Sequence, residues 1–238
     1  MTLITVYFAP GTCSRVPMIA LEQAGVHYES RVIAFNANEH RSEEFLKINP
    51  AGKVPALVID DDVLSENIAI ATFLNRRFPE AKLLPQTENE IDRAQILADL
   101  SFCSSVLHPF VTRIRLPHYF CSLDNTQANV WELAAKGLEL HFQRIEQRFA
   151  GSGPWWYGDQ WSSVDTYINW VWFRVTGAGF PSDKYPNFAA HNVRMSELPA
   201  YKCVMEREAI GQAELETRGL SFSFKPENKS QTVKEDVS

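Results

Sequence analysis

Apolar and polar positions change their rhythm once along this chain. Through about residue 84, short apolar runs alternate with helical stripes, and beyond it only the helical spacing recurs. Residues 3–8 form an apolar run of strand length. Pro10-Gly11-Thr12-Cys13-Ser14 breaks it, and a helix is predicted over 15–24, with Gly25 as its C-terminal stop. Residues 28–33 read as a second strand, and a strand–helix–strand crossover of this length implies a parallel pair. After a polar stretch over 36–44, a short helical piece over 43–48 leads to the turn residues Asn49, Pro50 and Gly52. Residues 54–59 then read as a strand, 60–62 as a hairpin turn and 63–65 as the returning strand. Asn67 is expected to open and cap the next helix. Ile70, Leu74 and Phe78 form its apolar stripe, and Pro79 stops it.

Residues 85–90 are polar and read as a linker. Residues 91–118 are predicted as a long helix, bent or ended near Pro109 and Pro117. Ala134, Leu138, Phe142, Ile145 and Phe149 share one face of a helix over 127–149. Ser162-Ser163-Val164-Asp165 is a capping-box pattern, with Asp in place of the usual Glu, ahead of a helix rich in Trp and Phe. Two more helices are predicted from about 187 to 210, and the polar stretch 225–238 is expected to be disordered. The expected plan is therefore an α/β unit of order βαβαββα over 1–84, a linker over 85–90, an all-helical domain over 91–218 and a largely disordered tail over 219–238.

Composition narrows the function classes. Hydrophobic content of 45% and charged content of 22% are those of a globular protein. A net charge of −6 argues against a nucleic-acid partner. No run approaches eighteen uncharged apolar residues, so no membrane span is expected. The apolar N-terminus lacks a basic lead and reads as a buried strand, not a signal peptide. Cys13, Cys103, Cys121 and Cys203 show neither metal nor disulfide spacing, so a reducing, cytoplasmic setting and no metal are expected.

Pro55 is out of place inside a strand, because proline cannot donate to a ladder. A cis Val54–Pro55 bond would account for it and would turn the Val54 amide and carbonyl outward, free to pair with an extended peptide. Glu66 and the helix start at Asn67 suit an amine and a carboxylate. These features read as a socket for a short zwitterionic peptide, or as an ordinary hairpin leading into a helix. Cys13 and Ser14 lie where the first strand hands over to a helix, whose free N–H groups favour a thiolate; the plainer reading is a packed small residue and a helix cap. Val16 stands where a Cys-x-x-Cys motif would need its second cysteine, which leaves only single-thiol exchange at Cys13. Tyr7 can reach a thiolate through its phenol or serve as packing. His108 can line a cleft or be structural. Asp165 reads as a cap, and the Trp155–Phe173 aromatics as core with a few rings facing a pocket.

The run Asn49-Pro50-x-Gly52-Lys53-Val54-Pro55-Ala56-Leu57, followed by Ser65-Glu66-Asn67-x-Ala69-Ile70, resembles the glutathione transferases. Glu39-His40-Arg41 before it, and Gly158 with Ser162 and Asp165 after it, fit the same family, and the resemblance extends to about residue 218. It implies a thioredoxin-like N-terminal domain, an all-helical C-terminal domain and a homodimer. It further implies glutathione as cosubstrate, paired with Val54 ahead of a cis Pro55. Glu66 and Asn67 would hold the γ-glutamyl end, and His40 and Lys53 the glycine carboxylate; Asn67 departs from the more usual serine. Pro10-Gly11-x-Cys13-Ser14 and Leu107-His108 are similar to the bacterial beta class, whose cysteine contacts the glutathione sulfur. Cys13-Ser14-Arg15-Val16 and Glu39-His40-Arg41 are similar to zeta and phi relatives, whose catalytic serine falls near Gly11 or Thr12. Val6-Tyr7-Phe8 is similar to the tyrosine classes. The activating residue is sought in the order Cys13 and Ser14, then Thr12, then Tyr7. The implied reaction is attack of the glutathione thiolate on a small apolar, aromatic electrophile, by conjugation or by reductive ether or halide cleavage. His108, Phe110, Arg113 and Tyr119 are the expected pocket residues. The rivals are glutathione-dependent thiol–disulfide exchange or dehydroascorbate reduction through Cys13, and a non-catalytic interaction module.

Overall fold

A computed structural model describes residues 3–220; the expected tail lies almost entirely outside the described residues. The first part runs β1 (Ile4–Phe8), α1 (Arg15–Gln23), β2 (Glu29–Val32), α2 (Glu43–Ile48), β3 (Ala56–Ile59), β4 (Asp62–Ser65) and α3 (Asn67–Arg77). The sheet order is β2-β1-β3-β4, with β1 parallel to β2 and antiparallel to β3, and β3 antiparallel to β4. Alternation along β1 sends Ile4, Val6 and Phe8 into one core with α1 and α3. Tyr7 goes to the other face, against Phe45 of α2.

The helical part contains α4 (Glu90–Ser101), a π-helical segment (Phe102–Leu107), α5 (His108–Arg115), α6 (Gln127–Ser152), α7 (Ser163–Thr176), α8 (Pro186–Glu197) and α9 (Pro199–Thr217). The single helix expected over 91–118 is thus one continuous rod with a widened turn ahead of Pro109, whose missing N–H and ring displace the regular ladder. Glu90–Arg115 is long and apolar enough, by length and composition alone, to cross a bilayer. Its buried residues Leu100, Cys103, Leu107, Val111 and Ile114 instead join Phe142 and Trp172 in the core of the helical part.

Three side-chain contacts tie the two parts together at the loop after β1. Trp170 Nε1 of α7 donates to the Gly11 carbonyl at 3.1 Å. Glu208 of α9 accepts the Gly11 N–H at 3.0 Å and grips Arg15 of α1 through Nε and Nη2 at 3.0 and 2.7 Å. Every member of this pair is buried. The loop that carries Cys13 is therefore fixed from the helical side.

Candidate active site

A cleft of about 580 Å³ opens between the end of the sheet and helices α5 and α7. One wall comes from the β-side turns. Gly52 sits at φ +61, and a Cβ there would come within 2.7 Å of the His40 carbonyl, so only glycine lets this turn close on residue 40. The turn presents Lys53 and the cis Val54–Pro55 bond. The β4–α3 junction adds Glu66, held at φ 68 and ψ 123, an unfavourable conformation for an L-residue, beside the first-turn N–H groups of α3.

Two buried polar atoms in this wall have no partner among the described residues, Asn67 Oδ1 and His40 Nδ1. Burying such atoms unpaired is costly, which fits a polar ligand spanning the wall. Asn67 does not cap α3 as expected: Glu66 occupies the cap position and Asn67 is the first helical residue. The Asn67 side chain instead faces the Cys13 thiol and the Tyr167 phenol, where it opposes the rise that burial gives their pKa values. At the other end of the wall, Phe35 stacks on the His40 ring with centroids 4.3 Å apart. Burial, with Arg41 nearby, keeps His40 below its ordinary pKa, so the fixed positive charge at this end comes from Lys53 and Arg41.

The candidates for thiol activation separate sharply. Cys13 and Thr12 line the cleft. Cys13 is buried, its thiol donates to the Val54 carbonyl at 3.8 Å, and burial pushes its pKa up to about 11 despite Asn67 and Arg174. The helix start therefore does not yield a thiolate at Cys13, and the Val54 carbonyl is not turned wholly outward. The Thr12 hydroxyl lies 2.7 Å from the Ala9 carbonyl and 2.9 Å from Ser14 Oγ. Ser14 is fully buried behind it, outside the cleft, and makes no side-chain cap to α1. Tyr7 is also outside, on the α2 face, with its hydroxyl 3.4 Å from Arg31. Strand alternation puts it there, because Val6 and Phe8 claim the other face.

The opposite wall comes from α5 and α7. His108 Nδ1 lies 2.8 Å from the Tyr167 hydroxyl. Burial, with Lys53 and Arg174, drives His108 down to about 4, so the ring is neutral at pH 7. Burial raises the Tyr167 phenol well above its ordinary pKa, so it stays protonated. Tyr119 reaches the rim and is 70% exposed. Phe110 and Arg113 do not reach the cleft. Phe110 packs over Gly137 of α6, where a Cβ would meet its ring at 2.7 Å, and Arg113 folds back to the Pro109 carbonyl and over Phe120. Among the Trp and Phe residues of the aromatic cluster only Trp170 lines the cleft; Trp172 stacks in the core on Phe142.

Sequence reasoning missed Tyr167, Arg115 and Arg174, which also line the cleft. Their signal was faint: a lone cation at Arg174 in a tryptophan-rich helix, and a phenol two residues past the cap residue Asp165. Among the described residues no group of acidic, histidine or cysteine side chains is arranged to hold a metal.

Residues 2–76 match the model of the glutathione S-transferase N-terminal domain. Glutathione S-transferase Z2 of Arabidopsis thaliana is 38% identical over 193 residues, covering 80% of this chain and 85% of that one. Maleylacetoacetate isomerase of Pseudomonas aeruginosa is 28% identical over 207 residues, covering 84% and 91%. A solved sphingomonad glutathione S-transferase, complexed with glutathione, superposes with a TM-score of 0.75 at 27% identity, covering 87% of this chain and 99% of that one.

Proposed function

This chain belongs to the glutathione S-transferase family, and from that premise we propose that it binds glutathione along the β-side wall and presents the thiolate to an electrophile held against α5 and α7. The observation that carries the reading is the meeting, in one cleft, of the Val54–Pro55 edge, Glu66 at the start of α3, and Lys53 with Arg41. Glu66 faces the γ-glutamyl amine, and the α3 N–H groups its carboxylate. The orphaned Asn67 Oδ1 gains a donor from that amine. Val54 pairs with the cysteinyl backbone, and Lys53, with Arg41, holds the glycine carboxylate beside a neutral His40.

Mechanism follows from placement. Fixing the thiol beside its target converts a bimolecular encounter into an oriented attack. The nucleophilic sulfur belongs to glutathione, and Cys13, buried and protonated, serves as packing beneath it. His108 and Tyr167 stay neutral; one of their two protons is spent on the bond between them, and the other is left to donate where charge develops on the acceptor. Covalent exchange through Cys13 is the weaker rival because a thiol near 11 is almost wholly un-ionised at pH 7. The acceptor side mixes Pro109, Val111 and Leu116 with Arg115, so an electrophile with an apolar body and a polar end fits better than a purely apolar one.

A second reading has one observation in its favour, the likeness to a chain named maleylacetoacetate isomerase. A thiolate that adds reversibly to a conjugated cis double bond allows rotation about the resulting single bond; expulsion of the thiolate then regenerates glutathione and leaves the trans product. Calorimetric titration with glutathione, followed by turnover with a chloronitrobenzene and with maleylacetoacetate, tests both readings. Binding with consumption of glutathione supports transfer, binding with isomerisation and no consumption supports the second, and no binding sinks both. A homodimer in the cytoplasm belongs to the same proposal. Exposed Ile91 and Leu97 on α4 and Leu133 and Leu140 on α6 supply apolar surface for a second copy.

A further inference from the structure

No hydroxyl of β1 or of the loop after it is placed to steady a thiolate. Gly11 has none, the Thr12 hydroxyl is engaged with Ala9 and Ser14, Ser14 is buried outside the cleft, and Tyr7 lies across the sheet. Position 11 instead adjoins a cation from the helical part. A Cβ built there lies 3.5 Å from Arg174 Nη1 and 3.8 Å from the Phe173 ring. Arg174 lines the cleft beside Thr12 and Cys13, and it acts electrostatically on the Cys13 sulfur. We propose that Arg174 is the catalytic cation of this site, reaching from α7 to the loop that carries Thr12 and Cys13 to hold the glutathione thiolate. The thiol proton leaves to solvent, and no bond to the protein forms.

The proposal rests on the glutathione-binding reading above and adds to it the group that makes the thiol reactive. The charges that act on the Arg174 guanidinium include Arg115 from α5, Arg15 from α1, Cys13 from the loop and Glu208 from α9. His108 and Glu66 reach the same part of the cleft. Burial, with Arg115 and Arg15, lowers Arg174 to about 9, and an anionic sulfur at this spot opposes that lowering. A guanidinium keeps its charge through neutral pH, so it favours the thiolate without itself having to give up a proton.

The test is the ultraviolet absorbance of the thiolate of bound glutathione, titrated against pH in the wild type and in Arg174→Gln and Arg174→Lys, with glutathione affinity measured by calorimetry on the same preparations. Removing the cation is expected to raise the bound thiol pKa by about one to two units, a ten- to hundredfold loss of thiolate at low occupancy. The value of kcat should fall at neutral pH and recover at high pH, the glutathione affinity should change by less than about threefold, and Arg174→Lys should restore most of the depression. An unchanged thiol pKa in Arg174→Gln overturns the proposal. So does a loss confined to KM for carboxylate-bearing electrophiles, which would make Arg174 a reader of the acceptor. Should Arg174→Gln fail to fold, Arg174→Lys decides, because a thiol pKa raised as far as that of free glutathione would contradict a charge role. A wild type that binds no glutathione removes the parent reading, whereas normal binding with no thiol shift in the variant removes this proposal alone.

Discussion

Cys13 shows how one environment overrides a local rule. A cysteine at the entry to a helix has N–H dipoles that favour its anion. Here burial outweighs them and leaves the thiol at about 11. Alkylation of Cys13 by iodoacetamide in the ligand-free protein should therefore be slow at pH 7 and accelerate about tenfold per unit towards pH 10, as read by mass spectrometry of the Cys13 peptide. Cys13→Ser should keep glutathione-dependent turnover within about tenfold, since the reacting sulfur is not the protein's; loss of all turnover would restore the exchange mechanism. His108 carries the opposite sign. Its folded-state pKa of about 4 lies below the ordinary 6.5, so the neutral ring is favoured in the folded protein. That stability is present above pH 6.5 and is lost as pH falls towards 4, to a total of about 3 kcal/mol. Urea unfolding midpoints measured between pH 7 and pH 4 should decline less steeply in His108→Asn than in the wild type.

At the scale of the element, α7 depends on its first turn. Asp165 is completely buried, and its carboxylate accepts from the Ser162 N–H at 2.9 Å, the Ser162 hydroxyl at 2.8 Å and the Trp156 N–H at 2.7 Å. His191 Nε2 lies 3.1 Å away. The cap thus pins the Trp156 strap and α8 as well as its own helix. Asp165→Ala leaves several buried donors unpaired and should cost about 3–5 kcal/mol, measured as the loss in urea unfolding free energy. Ser162→Ala, which removes one hydroxyl, should cost about 1 kcal/mol. A ratio near one between these two losses would mean that Asp165 is only a cap. The same helix carries Tyr167, Trp170 and Arg174 into the cleft, so its start is coupled to the site by rigid geometry.

At the scale of the whole molecule, the two parts meet through Arg15, Glu208 and Gly11. Glu208 satisfies a buried guanidinium and a loop N–H at once. Removing one member of a buried pair leaves the other charge uncompensated. Glu208→Ala should accordingly destabilise the protein by about 3–5 kcal/mol. Because Glu208 also holds the Gly11 loop, the variant should raise KM for glutathione under conditions where it is still folded, as followed by steady-state kinetics. An unaffected KM would show that α9 contributes stability without shaping the site. Arg15 gains a further contact over the Phe173 ring, with its guanidinium carbon 4.1 Å from the centroid.

Local sequence was enough for the alternation of strands and helices over 4–77, the hairpin itself (its turn is 60–61, with Asp62 already paired in β4), the apolar stripe of α3 and the Ser162–Asp165 cap, because each follows from side-chain period and turn chemistry within a few residues. The β-side wall was legible for the same reason: Gly52, Lys53, Val54, Pro55, Glu66 and Asn67 stand close together in the chain. The sheet alternation that sends Tyr7 away from the cleft was also present in the sequence, in the flanking Val6 and Phe8. The α-side wall was not legible. Whether Phe110 or Arg115 faces the cleft depends on the rotation of α5 against Gly137, and Arg174 meets Gly11 across 163 residues of chain. Burial decides the charge on Cys13 and His108, and burial is a property of packing between distant segments, which no local pattern of residues encodes.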